Sequence, residues 1–196
     1  TNVSILPLVL KNYPYLRPIA FTAWRDGNGE IYSMSTDGTK AVNLTNNAAN
    51  DGSPTWSPDG KYVAFDTWRD GNWNIYVMDA DGSNQHGLTN NGSANSRPSW
   101  SPDGTLIAFQ SNREGSDDIY VMSTDGTDQR RLTVNYVGDY DPTWSSDSQY
   151  IAFTSECDIY VINVGGTNVA NLTQSSMCEG SPSWSPDGKF IAFDAF

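Results

Sequence analysis

The sequence predicts an all-β fold, a β-propeller of four-stranded blades, and three observations carry that prediction. The first is an internal repeat. Ile/Val-Ala-Phe begins at Ile19, Val63, Ile107, Ile151 and Ile191, at spacings of 44, 44, 44 and 40 residues. A period of this size means one supersecondary unit repeated along the chain. The second is that other landmarks hold the same register. Trp-Ser-Pro-Asp-Gly begins at Trp56, Trp100 and Trp184, with a degenerate copy, Trp-Ser-Ser-Asp-Ser, at Trp144. Ile-Tyr recurs at Ile31, Ile75, Ile119 and Ile159, and Leu-Thr at Leu44, Leu88, Leu132 and Leu172. The third is composition. Hydrophobic residues are 37% and charged residues 17%, and Asn, Ser, Thr and Gly fill the difference. That balance suits turn-rich strands rather than helices, and no window shows a useful 3.6-residue apolar period.

Each unit reads as four short strands. In the second, Ser53 to Ser57 is the first strand, and Pro58-Asp59-Gly60 is a turn in which Pro presets φ and Gly relieves strain. Tyr62 to Thr67 is the second strand, and Arg69 to Asn72 turns the chain into the third, Asn74 to Asp79. Asp81-Gly82 supplies a tight hairpin turn, Gln85 to Thr89 is the fourth strand, and Asn90 to Ser96 crosses to the next unit. A lone meander cannot bury both faces, whereas radial stacking buries each sheet against its neighbours.

The expected organisation is an extension over 1–18, then propeller repeats over 19–196 with units starting near 19, 53, 97, 141 and 181. The strands add up to about four full blades plus incomplete terminal blades. They fall as three, then three blades of four, then two. Both ends carry a second strand, so a simple four-bladed ring leaves one redundant. Either the propeller is part of a longer one, or another molecule finishes it. The extension holds an apolar segment outside the repeat, with Val3, Ile5, Leu6, Leu8, Val9 and Leu10, which suits a donated assembly strand or a linker. Pro7 confines any such strand to an edge.

Pro-x-Trp-Ser-Pro-Asp-Gly-Lys-x-Ile-Ala-Phe, followed by Asp-Ile-Tyr-Val-Met-x-x-Asp-Gly and Leu-Thr, resembles the repeat of TolB-like, WD-repeat-like β-propellers. The resemblance covers 19–196. It implies a periplasmic or secreted protein that binds other proteins, and similar propellers also stand beside the hydrolase domain of prolyl-oligopeptidase-like enzymes. It implies no catalytic residue, because the Trp and Asp-Gly positions are structural in that family.

Departures from the repeat are where function is expected. Trp24, Arg25, Trp68, Arg69, Trp73 and Arg113 fall in or beside the turns between second and third strands, on the face that also carries the inter-blade loops. Exposed Trp beside Arg suits a protein hot spot or a sugar-stacking platform. The alternative is that Trp24 and Trp68 cap the blade edges and are mostly buried. Asp26, Asn28 and Glu30, like Asp70, Asn72 and Asn74, alternate oxygen ligands in a turn, but no downstream bidentate acid follows, so they are weak calcium candidates. The fourth unit has a shortened turn carrying Cys157, and Cys178 leaves the same unit on the same face, which predicts a disulfide and an oxidising compartment. Sequons at Asn2, Asn43, Asn91 and Asn171 are possible glycosylation sites.

Several functions are disfavoured. The 23 acidic groups against 11 basic ones give a formal charge of −12, which repels nucleic acid and anionic membrane surfaces. No apolar run is long enough to span a membrane as a helix. The single histidine, His86, has no Gly-x-Ser-x-Gly elbow to serve, and one His with two distant Cys makes no zinc site. Asp139 and Asp141 form a carboxylate pair expected to be solvated in an inter-blade loop. No cofactor is implied. The expected function is a non-enzymatic extracellular or periplasmic propeller that binds a protein partner or copies of itself, including strand-exchanged oligomers or filaments. The alternatives are a carbohydrate- or ligand-binding module, or the propeller part of a larger hydrolase.

Overall fold

The computed structural model describes residues 17–25 and 27–196. Among them are 17 strands and no helix. Strands β1 (Ile19–Ala23), β2 (Glu30–Met34) and β3 (Val42–Asn43) form a three-stranded antiparallel sheet, blade 1. Blade 2 is β4 (Asp51–Trp56), β5 (Tyr62–Thr67), β6 (Asn74–Asp79) and β7 (His86–Gly87). Blade 3 repeats it with β8 (Asn95–Trp100), β9 (Leu106–Ser111), β10 (Asp118–Ser123) and β11 (Arg130–Arg131). Blade 4 holds β12 (Asp139–Trp144), β13 (Tyr150–Ser155), β14 (Asp158–Asn163) and β15 (Ala170–Asn171). A two-stranded sheet, β16 (Glu179–Trp184) with β17 (Ile191–Ala195), ends the described chain. The strand count is the one the sequence predicts, and so are the bounds of the second and third strands of blade 2.

The core consists of inter-blade layers rather than one central mass. Ile31 and Leu44 of blade 1 pack on Val63, Phe65 and Met78 of blade 2. Ala64, Ile75 and Val77 of blade 2 face Ile107, Phe109 and Met122 of blade 3. Ala108, Ile119 and Val121 of blade 3 then meet Trp144, Ile151, Phe153 and Ile162 of blade 4. Alternation along each strand sends neighbouring residues to opposite faces, so Val63 serves one layer and Ala64 the next.

Two landmarks acquire physical roles. The Leu of Leu-Thr fills an inter-blade layer at Leu44, Leu88 and Leu132, while Leu172 is exposed, and the Thr replaces missing ladder bonds. Thr89 Oγ1 accepts from Ile75 N at 2.9 Å, and Thr133 Oγ1 accepts from Ile119 N at 2.9 Å. The outer strand is therefore only two residues long, shorter than the expected Gln85 to Thr89. In the first turn, Ser57 Oγ donates to Asp59 Oδ1 at 2.7 Å and accepts from Tyr62 N at 3.0 Å, and the other copies repeat the motif.

Two expectations need correction. The inner strands begin at Asp51, Asn95, Asp139 and Glu179, two residues ahead of the expected unit starts. A register shift follows each start, and the residue at the shift, Ser53, Arg97, Asp141 or Ser181, has positive φ. Non-glycine residues carry little sequence signature of such a bulge. Second, Asp139 is not a solvated loop residue, since it opens β12 and is fully buried, while Asp141 pairs with Arg97. The repeated Trp residues do not share one environment. Trp144 is buried and donates to Ser99 O at 2.9 Å, whereas Trp56, Trp100 and Trp184 are only half-buried.

Candidate functional site

The turns between second and third strands lie against the preceding inter-blade loops. Trp68 N donates to Asn50 O at 2.9 Å, and Asn112 N donates to Ala94 O at 3.2 Å. One face of the propeller therefore gathers these turns and loops.

On that face the tryptophans are exposed rather than buried as edge caps. Trp24 is 69% exposed and Trp68 46%. Trp68 meets Trp73 edge to face with ring centroids 5.6 Å apart. Trp24 and Trp73 line a cleft of about 470 Å³ together with Asp66, Arg97 and Gln110. Asp66 is buried and accepts from Arg97 N at 2.9 Å, and burial pushes its carboxyl above the usual range. The cleft thus combines two indole surfaces with a buried acceptor.

The arginines expected beside these tryptophans act inside their own blades. The Arg69 guanidinium lies over Tyr76 and Phe65, 4.7 and 5.4 Å from their centroids. It donates to Thr67 Oγ1, Gln85 Oε1 and Asp51 Oδ1 at 3.0, 2.8 and 3.2 Å. Arg113 repeats this over Tyr120 and Phe109, with donations to Ser111, Gln129 and Asn95. Arg25 lies over Tyr32 and Phe21. Gln85 and Gln129 extend the link by donating to Leu44 O and Leu88 O of the preceding blade. The local sequence causes this, because the Phe–Tyr pair of adjacent strands presents a flat aromatic surface under the turn.

Cys157 and Cys178 form a disulfide. Around the calcium candidates, Glu30 accepts from Asn28, Thr45 and Asn47, and Asp70 Oδ2 accepts from Tyr76 Oη at 2.8 Å and Asn74 Nδ2 at 3.4 Å. Asn74 Oδ1 accepts from Thr89, and Asn72 Nδ2 is buried without a partner. Among the described residues no group of three His, Cys, Asp or Glu side chains is placed to hold a metal. Asp26 lies outside the described residues, as do Asn2 and the proposed assembly strand Val3, Ile5, Leu6, Leu8, Val9 and Leu10. Of the remaining sequons, Asn91 Nδ2 donates to Asn95 and Asn171 Nδ2 donates to Asp158, while Asn43 Oδ1 caps Thr45 N and Asn46 N. His86 is exposed beside Asn84 O.

A second cleft, not anticipated from sequence, lies between blades 3 and 4. It measures about 560 Å³ and is lined by Tyr136, Phe153, Ser155, Glu156, Tyr160 and Val169, among others. Tyr136 is fully exposed and Val134 nearly so. The signal was available in the repeat, since Val134 and Tyr136 stand where the preceding loop has Asn90 and Gly92.

No helix of the described residues is long and apolar enough to cross a membrane. No curated protein matches the sequence. The sequence profile of the TolB beta propeller domain matches residues 13–97 and 53–157. Among solved structures, a protein assigned as TolB from Agrobacterium tumefaciens is similar at 30% identity and a TM-score of 0.81, over 90% of this chain and 70% of that one. TolB from Acinetobacter baumannii is 26% identical with a TM-score of 0.79, over 90% of this chain and 46% of that one, so the chain spans less than half of its length. An oligogalacturonate lyase from Vibrio parahaemolyticus shares the fold alone, at 15% identity and a TM-score of 0.67 over 92% of this chain and 56% of that one. With a matching profile over most of its length and a relative at 30% identity across 90% of it, the chain belongs to the TolB β-propeller family.

Proposed function

We propose that this propeller is a non-enzymatic protein-binding module working outside the cytoplasm. The observation that carries the reading is the pair Trp24 and Trp73 in one cleft, with Trp24 largely exposed. An exposed indole and a half-buried one beside a buried acceptor supply both apolar contact and hydrogen-bond orientation, the recipe of an interface anchor. The disulfide supports an oxidising compartment, since such bonds do not persist among reducing thiols.

The test places a photo-crosslinking residue at Trp24 and, as control, at Thr127 on the opposite face, then exposes both proteins to the extracytoplasmic protein fraction of the source cells. One protein adduct specific to position 24 supports the reading. Equal adducts at both positions overturn it. Saturable glycan binding that quenches tryptophan fluorescence, with no adduct at position 24, favours the carbohydrate alternative.

Self-assembly is a second reading. It is favoured by the outer edge of β17, which has no strand partner among the described residues and lies beside the exposed Phe193, with exposed Phe190 and Phe196 flanking the strand. Deleting residues 1–10 and measuring the native mass tests whether Val3 to Leu10 is the exchanged strand. A subunit number unchanged by the deletion makes that segment a linker.

A further inference from the structure

The cleft between blades 3 and 4 is the place of an arginine that this blade does not have. In blades 1, 2 and 3, Arg25, Arg69 and Arg113 cover the Phe–Tyr pair of their own sheet. Blade 4 has the same pair, Phe153 and Tyr160, stacked at 5.8 Å. Its turn is four residues shorter, and Glu156 and Cys157 follow Ser155 where Trp68-Arg69 follow Thr67. Both rings line the cleft.

Two of the three acceptors of the missing group remain, the hydroxyl of Ser155 and the carboxylate of Asp139. Asp51 and Asn95, which take the Nη2 donations of Arg69 and Arg113, pair across the sheet with Thr67 and Ser111. Asp139 holds the same register opposite Ser155. Its Oδ2 accepts from Asn135 at 2.9 Å, as Asp51 Oδ2 accepts from Asn47. Its Oδ1 is buried without a hydrogen-bond donor among the described residues, and the residue is 0% exposed. A buried carboxylate oxygen left unpaired is costly, and the cross-strand partner of this one, Ser155, lines the cleft. The Gln that links Arg69 and Arg113 to the blade before is here Val169, whose side chain donates nothing to Leu132 O. Blade 4 has therefore lost a five-donor fork and the amide that met it, and has kept the carboxylate, the hydroxyl and the aromatic surface.

We infer that this cleft binds a guanidinium group, presented by an arginine side chain of a protein partner. Glu156 at the mouth and the formal charge of −12 attract a cation. A fork suits the site better than an ammonium, because its plane stacks on Tyr160 while its edges donate in the directions Arg69 and Arg113 use. A protein source fits the rim. Val134, Tyr136 and Val169 are exposed apolar side chains around the cleft, and they offer contact to residues flanking an arginine, which a free amino acid lacks. This site is separate from the Trp24 cleft and does not depend on its reading.

The test titrates the full chain, followed by amide chemical shifts, with three probes at about 0.15 M salt, where non-specific surface attraction is screened. The probes are acetyl-Leu-Arg-Leu-amide, acetyl-Leu-Lys-Leu-amide and free L-arginine. The expected result is saturable shifts at Ser155, Glu156 and Tyr160, with the arginine peptide about fivefold or more tighter than either other probe. Glu156→Gln, on the exposed turn, is expected to weaken the arginine peptide severalfold. Val169→Arg, which supplies a guanidinium from the chain itself, is expected to abolish binding. Equal affinity for the lysine peptide, shifts scattered over the surface, no saturation, or binding unaffected by Val169→Arg each overturn the site. Free arginine binding as tightly as the peptide overturns the protein source.

Discussion

The guanidinium carbon of Arg113 stands 4.3 Å from the centroid of the Tyr120 ring, and the same group bonds Ser111, Gln129 and Asn95. Burial pulls its pKa down, and because a guanidinium stays protonated in proteins, one cation serves as the brace of a whole blade. Arg113→Lys keeps the charge and loses the planar fork, and should lower stability by about 1–2 kcal/mol. Arg113→Ala also leaves Asn95 and Gln129 short of donors and should cost about 2–4 kcal/mol. Denaturant unfolding of both variants checks the order.

Trp144 is the one repeated tryptophan that is buried with its indole N–H satisfied. Trp144→Ala should cost about 3–5 kcal/mol, since it opens a cavity in the layer between blades 3 and 4. Trp184→Ala, at a half-buried position with no partner for its N–H, should cost less than half of that. Equal losses would contradict the inter-blade core described above.

Cys157 and Cys178 close a loop with a sequence separation of 21 residues. Replacing both with Ser should lower stability by about 2–4 kcal/mol. The shortened turn is the reason the bond matters. Glu179 N donates to Cys157 O at 2.8 Å, so the turn is tied directly to the start of β16. Unfolding with and without a reductant should show the same loss, and the double variant should not respond to reductant.

The Ser57 hydroxyl, followed by the Lys61 backbone and side chain, holds the Asp59 carboxyl down at about 2. Asp103, Asp147 and Asp187 are lowered by the equivalent serines. A folded pKa below the unfolded one stabilises above the unfolded value, and that stabilisation is lost as pH falls through the folded value. The protein should therefore lose stability between about pH 4 and pH 2. Asp66, raised by burial, works in the opposite direction, because it takes its proton in the folded state first. Asp59→Asn should flatten the melting temperature against pH over that window.

The blades were legible in the sequence because their landmarks are local, and each now has a physical cause. Ser57 and Asp59 build a turn, Leu88 fills a layer, and Thr89 stands in for ladder bonds. The inner strand starts were misplaced by two residues because the bulge falls on Ser53, Arg97, Asp141 and Ser181, of which only Asp141 is of a type that favours positive φ. The arginines were placed correctly in their turns, but their inward direction depends on the Phe65–Tyr76 surface beneath, a contact across strands that spacing does not encode. The blade 3–4 cleft was readable only by setting Val134, Tyr136 and Val169 beside their counterparts Asn90, Gly92 and Gln129.

Gln85 and Gln129 each fasten an arginine of one blade to a main-chain carbonyl of the blade before, and at Val169 that succession stops. In a stacked array, the coupling between neighbours decides how far a local opening spreads. Blades 1 to 3 should consequently melt as one cooperative block. Blade 4, tied to β16 through the Cys157–Cys178 bond, should open with it as a second block. Hydrogen exchange should place the boundary along the junction of blades 3 and 4, so the seam that gives the molecule its cleft is also where it comes apart.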